Sequence, residues 1–228
     1  MSLNMVCPDN NTENADAAKG VQERLLDAAE AIFAERGFDG TSIRELAAAA
    51  RCNIAAVNYH FGGKENLYLE LWRRYLISMR ETRLAAIQMA MERAPAEGAL
   101  ENLLRAFANA FVEPLIDHSR AQRFMKLMAR EMLDQHLPAD MFVAEVIVPT
   151  LNAMRQAFAG ICPDLHPSRV RLVVYSIVAQ LMHAAHMKGM FDHTNSPEFP
   201  KFDLTEAIEH VVRFSAAGIR DYAKGDNE

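Results

Sequence analysis

The chain has 228 residues, 50% hydrophobic and 24% charged, with few glycines (10) and prolines (9); that balance suits a mainly helical globular protein and excludes a chain too polar to build a core. Its net charge of −6 argues against general, charge-driven attachment to nucleic acid. Three scattered cysteines, Cys7, Cys52 and Cys162, fit a reducing compartment rather than a disulfide framework.

Residues 1–18 are rich in Asn, Asp, Ala and Thr without periodicity, so they read as a disordered tail, and no basic, apolar leader is seen in them. Val21, Leu25, Ala28, Ala29, Ile32 and Phe33 recur at helical period and predict a first helix, ended by Gly37. After a Phe38-Asp39-Gly40 turn, Thr41 or Ser42 caps a second helix, with Glu45 placed for a capping box on Ser42. Its core face is Ile43, Leu46, Ala47 and Ala50, and Arg51-Cys52 makes the next turn. Asn53 caps a short third helix over 54–61, with Ile54, Val57 and Phe61 facing inward. Gly62-Gly63 breaks it, and Lys64 opens a long amphipathic helix to about Arg93 with Leu67, Tyr68, Leu71, Trp72, Tyr75 and Met79 on one side.

Five more helices are expected near 97–117, 120–134, 139–160, 167–188 and 203–223, with Pro138, Pro163, Pro167, Pro197 and Pro200 at the joints. The longest apolar stretch, 172–182, is too short to span a bilayer, so no membrane partner and a cytoplasmic location are expected. The segment 193–200 is the most loop-like part of the body. No strand alternation appears, so the fold class is all-α with about nine helices.

Two short helices joined by a tight turn and packed on a preceding helix make a helix-turn-helix, whose second short helix enters the DNA major groove. The outward side of 54–61 offers Ala55, Ala56, Asn58, Tyr59 and His60. The alanines permit close approach and can touch thymine methyls; Asn58 can bond an adenine edge; Tyr59 and His60 suit phosphates or bases. Thr41, Ser42 and Arg44 open the supporting helix, Asn53 the third and Lys64 the fourth, where donors meet phosphates. From Thr41 to Lys64 the balance is Arg44, Arg51 and Lys64 against Glu45, or +2, opposite in sign to the whole chain.

The run RLLDAAEAIFAERGFDGTSIRELAAAARCNIAAVNYHFGGKENLYLELW, residues 24–72, resembles the head of the TetR family of bacterial regulators in GF-x-G-T-S, Tyr-x-Phe and Lys-Glu-x-Leu. NIAAVNYHFG is similar to the CecR-like and PsrA-like regulators, and KLMAREMLDQH with EVIVPTLNAMRQAFAG to the CecR-like body. The resemblance implies a helix-turn-helix DNA-binding domain at 19–66 and an effector-binding and dimerisation domain at 67–228. It implies a homodimeric repressor on double-stranded, palindromic DNA, released by a small apolar or amphipathic effector. Family members carry glycine where Arg51 stands, so Arg51 takes a positive φ or the turn is reshaped.

The last two helices pair across the dimer in this family. Val174, Ile177 and Leu181, then Ile208, Val212 and Ile219, are the candidate interface residues, the alternative being that both stripes face their own core. Phe107, Phe111, Met125, Met128, Met132, Phe142, Met154, Phe158 and Met182 are candidate lining of an effector pocket, or ordinary core. Arg130-Glu131 either orients a polar ligand head or forms a buried pair that stiffens the fold. His183 and His186 share a helix face and, with His118 or His136, offer a metal site or polar interface contacts; no metal and no cofactor is expected. No glycine-rich phosphate loop, nucleophile elbow or paired metal motif appears, so an enzyme is not expected.

Overall fold

The computed structural model describes residues 10–93, 97–116, 120–192 and 202–225. Among them there is no strand, and the order is α1 (Asn10–Arg36), α2 (Ile43–Ala49), α3 (Ile54–Phe61), α4 (Lys64–Arg93), α5 (Ala99–Ile116) and α6 (Arg120–Asp134), then a π turn (Val143–Ile147) running into α7 (Val148–Ile161), α8 (Pro167–Asp192) and α9 (Leu204–Gly225). The all-α expectation of about nine helices holds.

Three boundaries differ from the sequence reading. α1 starts at Asn10, inside the span read as a tail. The rest of that tail, with Cys7, lies outside the described residues, as do 193–200 and His118. The helix expected at 139–160 is interrupted by the π turn, because Pro149 has no N–H to give and the preceding Val148 N–H reaches back to the Val143 carbonyl. α8 is 26 residues long, and an 18-residue window within Pro167–Phe191, of mean hydropathy 1.2, is long and apolar enough to cross a membrane by composition alone. Val170, Val173, Val174, Ile177, Leu181 and Ala184 of this helix join a buried protein core, and 33% of the window is buried.

Contacts divide the chain into two compact units, residues 1–74 with 126–137, and residues 75–125 with 138–228. The division departs from a cut at 66/67: the start of α4 and the end of α6 both belong with the helix-turn-helix. The chain passes from one unit to the other three times, twice inside a helix.

In the first unit the apolar residues of α1 to α4 converge on Leu25, Phe33, Leu46, Val57, Leu67, Leu71 and Trp72, all at most 2% exposed. Ile54, expected inward, is 41% exposed, because the α3 face that packs is set by Val57 and Phe61 one turn apart. Phe33, Phe38, Tyr68 and His136 form an aromatic group with ring centroids 4.6–6.3 Å apart. Tyr68 donates its hydroxyl to Glu131 at 2.8 Å, and the other Glu131 oxygen accepts the Leu137 N–H at 2.6 Å. Burial, foremost, holds the Tyr68 hydroxyl well above the usual phenol range. Arg130 donates to the Ala34 and Glu35 carbonyls at the end of α1. Arg130 and Glu131 thus stiffen the first unit through separate partners, not as a pair.

In the second unit α5, α7, α8 and α9 enclose one apolar cluster, with Leu103, Phe107, Met154 and Leu181 fully buried. Arg105 grips Glu209 through two bonds of 2.9 Å, and Arg220 pairs with Glu101, tying α5 to α9. The six candidate interface residues, Val174, Ile177, Leu181, Ile208, Val212 and Ile219, are all at most 8% exposed within this cluster. They are core of their own protomer, and the interface reading of them is corrected. The large apolar residues that α8 and α9 leave outside are Leu172, Tyr175, Met182 and Met190, then Phe214 and Tyr222.

Candidate nucleic-acid interface

The turn into α2 depends on a glycine. A Cβ at Gly40 would collide with the Arg36 carbonyl oxygen. Thr41 follows, 3% exposed, with its hydroxyl donated to the Gly37 carbonyl at 2.7 Å. Its hydroxyl serves this turn, so the phosphate role read for it is corrected. Ser42 completes a capping box: its hydroxyl accepts the Glu45 N–H, and its own N–H donates to the Glu45 carboxylate at 2.9 Å. The backbone N–H and hydroxyl of Ser42, with Arg36 adding to them, hold the Glu45 carboxyl below its usual range.

Lys64 does open α4, but its ammonium turns back onto the fold. It donates to the Phe38 and Thr41 carbonyls at 3.0 Å each and lies 4.1 Å over the Phe38 ring. Lys64 is therefore a clasp across the turn, with one N–H left for a phosphate.

The turn between α2 and α3 is a Schellman motif. The Arg51 N–H meets the Ala48 carbonyl at 3.1 Å and the Cys52 N–H the Ala47 carbonyl at 2.9 Å, with Arg51 at φ 53. Of the two options left by the missing glycine, Arg51 takes the positive φ. Arg24 of α1 donates to the Ala50 carbonyl at 3.1 Å, closing the end of α2. Nothing in the α2–α3 sequence pointed to Arg24, since the bond spans 26 residues.

Asn53 caps α3, its side-chain oxygen accepting the Ala55 N–H at 3.0 Å. Gly62, at φ 75 in the left-handed region, ends the helix by donating to the Asn58 carbonyl. Between these caps Val57 and Phe61 point inward, while Ala55, Asn58 and Tyr59 are exposed and Ala56 and His60 flank them half-buried. Tyr59 is 84% exposed, with its ring 5.0 Å from that of His60. Arg44 and Arg51 are exposed and make no ion pair among the described residues, whereas Glu45, the acid of this segment, is paired with Arg36. The surface around α3 is therefore more positive than its formal charge, with a polar, shallow helix at its centre.

The nine candidate pocket residues fall in both units. Phe107, Phe111, Met154 and Phe158 share the core of the second unit, where Phe142 is half-buried and Met125 and Met182 are exposed. Met128 and Met132 belong to the first unit, and Met132 is 73% exposed. Among the described residues no group of three or more His, Cys, Asp or Glu is placed to hold a metal; His183 and His186 are exposed, and His136 stacks on Phe38 with Asp39 at 3.4 Å.

Residues 25–71 match the family model for bacterial regulatory proteins of the tetR family, and residues 105–218 match that for the tetracyclin repressor-like C-terminal domain. The chain is 29% identical over 181 residues to the HTH-type transcriptional dual regulator CecR of Shigella flexneri, covering 76% of this chain and 79% of that one. It is 27% identical over 125 residues to the HTH-type transcriptional repressor NicS of Pseudomonas putida, about half of each chain (55% and 54%). The fold matches a crystal structure of a TetR-family regulator from Mesorhizobium loti with a TM-score of 0.64 at 20% identity, over 88% of this chain and 97% of that one. Matched to that family at both its N-terminal head and its C-terminal domain, this chain belongs to the TetR family of DNA-binding transcriptional regulators.

Proposed function

We propose that the protein is a homodimeric repressor of the CecR-like subgroup that sits on a palindromic operator and leaves it when a small apolar or amphipathic effector occupies the second unit. The observation that carries the reading is the exposed face of α3, Ala55, Asn58 and Tyr59, flanked by the unpaired cations Arg44 and Arg51. Asn58 and Ala55 read base edges; Tyr59, Arg44, Arg51 and the spare Lys64 proton hold phosphates, with Asn53, Ala56 and His60 beside them. Thr41 and Ser42 contribute by shaping the turn.

The dimer uses the outer faces of α8 and α9. Leu172, Tyr175, Met182 and Phe214 are 40–65% exposed, and Ala179, Ala217 and Gly218 beside them permit close approach. His183 and His186 lie on that same exposed side as polar rim residues. A two-fold pair then presents its recognition helices about 34–36 Å apart, one DNA turn. Effector binding is felt at the head through α4 and α6, each of which contributes residues to both units. Such a protein works in the cytoplasm on double-stranded DNA, with no catalytic step and no cofactor.

Selection of bound duplexes from a random library tests the reading. Enrichment of an inverted repeat with half-sites one helical turn or a multiple of it apart is the expected result. Failure to enrich any sequence sinks it, as does binding that Tyr59→Ala and Arg51→Ala leave unchanged.

A further inference from the structure

One charged side chain of the second unit is buried without a counter-charge. Arg83 of α4 is 5% exposed, its guanidinium lies 4.4 Å over the Phe111 ring of α5, and its Nε has no acceptor. One turn earlier Arg80 has Glu145 at 2.8 Å; Arg83 has no such partner among the described residues. Burial pushes its pKa down to about 10, so it stays a cation at neutral pH. Buried charges are normally paired and their N–H groups bonded, so a buried guanidinium with an unbonded Nε is suited to take an acceptor.

A second buried polar group stands in the same unit. Thr150 of α7 is 5% exposed and its hydroxyl has no partner. It shares a helix face with Met154 and Phe158, which join Phe111 in the apolar cluster. The π turn at Val143–Ile147 lies just before it, and such turns recur at functional sites. The Arg80–Glu145 pair joins α4 to this turn. Arg83 lies three residues beyond Arg80 on α4 and Thr150 five beyond Glu145, so the ion pair ties together the two chain segments that carry them.

We propose that Arg83 anchors a ligand site for a carboxylate carried on an apolar body, with the oxyanion meeting the Arg83 guanidinium and the Thr150 hydroxyl. The proposal rests on the effector reading above and adds the head group to it. A guanidinium presents paired N–H donors in a fork that fits a carboxylate. Phe111, Met154 and Phe158 supply an apolar wall. A neutral analogue of the same shape leaves the buried cation unpaired, which is the condition for strong discrimination.

The test is calorimetric titration of the full chain with decanoate and 4-butylbenzoate, each against its neutral alcohol, 1-decanol and 4-butylbenzyl alcohol. At least one carboxylate binds tenfold or more tightly than its alcohol. Arg83→Met replaces the cation with an apolar chain that folds in its place; it removes the preference and leaves the alcohol's affinity within twofold. Thr150→Val weakens the carboxylate severalfold, and Arg83→Lys keeps part of the preference. No preference for either carboxylate overturns the proposal, and so does a preference that survives in Arg83→Met. Anisotropy on the selected operator runs in parallel. A carboxylate preference with unchanged operator affinity leaves the Arg83 site standing and removes effector release. Effector release by neutral ligands alone does the reverse.

Discussion

In the first unit four helix ends have a side-chain partner: Arg130 for α1, Ser42 and Arg24 for the two ends of α2, Asn53 for α3. In the second, the centre is apolar bulk, with Leu103, Phe107, Leu104 and Leu181 at most 1% exposed and the ion pairs confined to its rim. Hydrogen bonds are directional, so the first arrangement holds a shape; burial is roughly proportional to area and indifferent to direction, so the second holds together while tolerating repacking. A reader of DNA needs the former.

The sharpest way to break this contrast is a pair of substitutions in the body. Leu181→Ala opens a cavity at a fully buried site and costs about 2–5 kcal/mol in urea denaturation. Phe214→Glu, at a residue 65% exposed, leaves protomer stability within about 0.5 kcal/mol but weakens self-association in ultracentrifugation. If the two results are exchanged, the inner and outer faces of α8 and α9 have been misassigned. In the head, Tyr68→Phe removes a single donor to Glu131 and lowers stability by about 1–2 kcal/mol by the same denaturation. Arg51→Gly relieves the left-handed φ of a side-chain-bearing residue and raises the melting free energy by about 1 kcal/mol, while weakening DNA binding through the lost charge. The smallest stability effect belongs to Arg44→Ala, within about 0.5 kcal/mol, yet it lowers the salt slope of operator binding by about 1.

The same contrast explains what could be read in advance. The capping box at Ser42, the Asn53 cap, the start of α4 at Lys64 and the inward set Leu67, Tyr68, Leu71, Trp72, Tyr75 and Met79 were all legible, because each follows from residues within a turn or two of one another. Thr41 and Lys64 were placed correctly in the chain but their bonds to Gly37, Phe38 and Thr41 were not foreseen, since these depend on how a turn closes in space. Val174, Ile177 and Leu181 show the limit for helix stripes: an apolar face at period 3.6 says that something covers it, not whether the cover is the same protomer or another. Arg83 escaped notice altogether. Its ring partner is Phe111, 28 residues away in sequence (111 − 83), and nothing around position 83 signals the contact.

The bonds of Glu131 and Arg130 bear on modularity. A chimera made by cutting after residue 66, so as to fit this head to another regulator's body, removes Tyr68, the carboxylate it donates to, and the guanidinium that closes α1. The transferable cassette is discontinuous: residues up to 74 together with 126–137. Recombination at a single crossover therefore yields a frayed reader, and shuffling of specificities in this lineage is better served by changes confined to α3 than by exchange of whole heads.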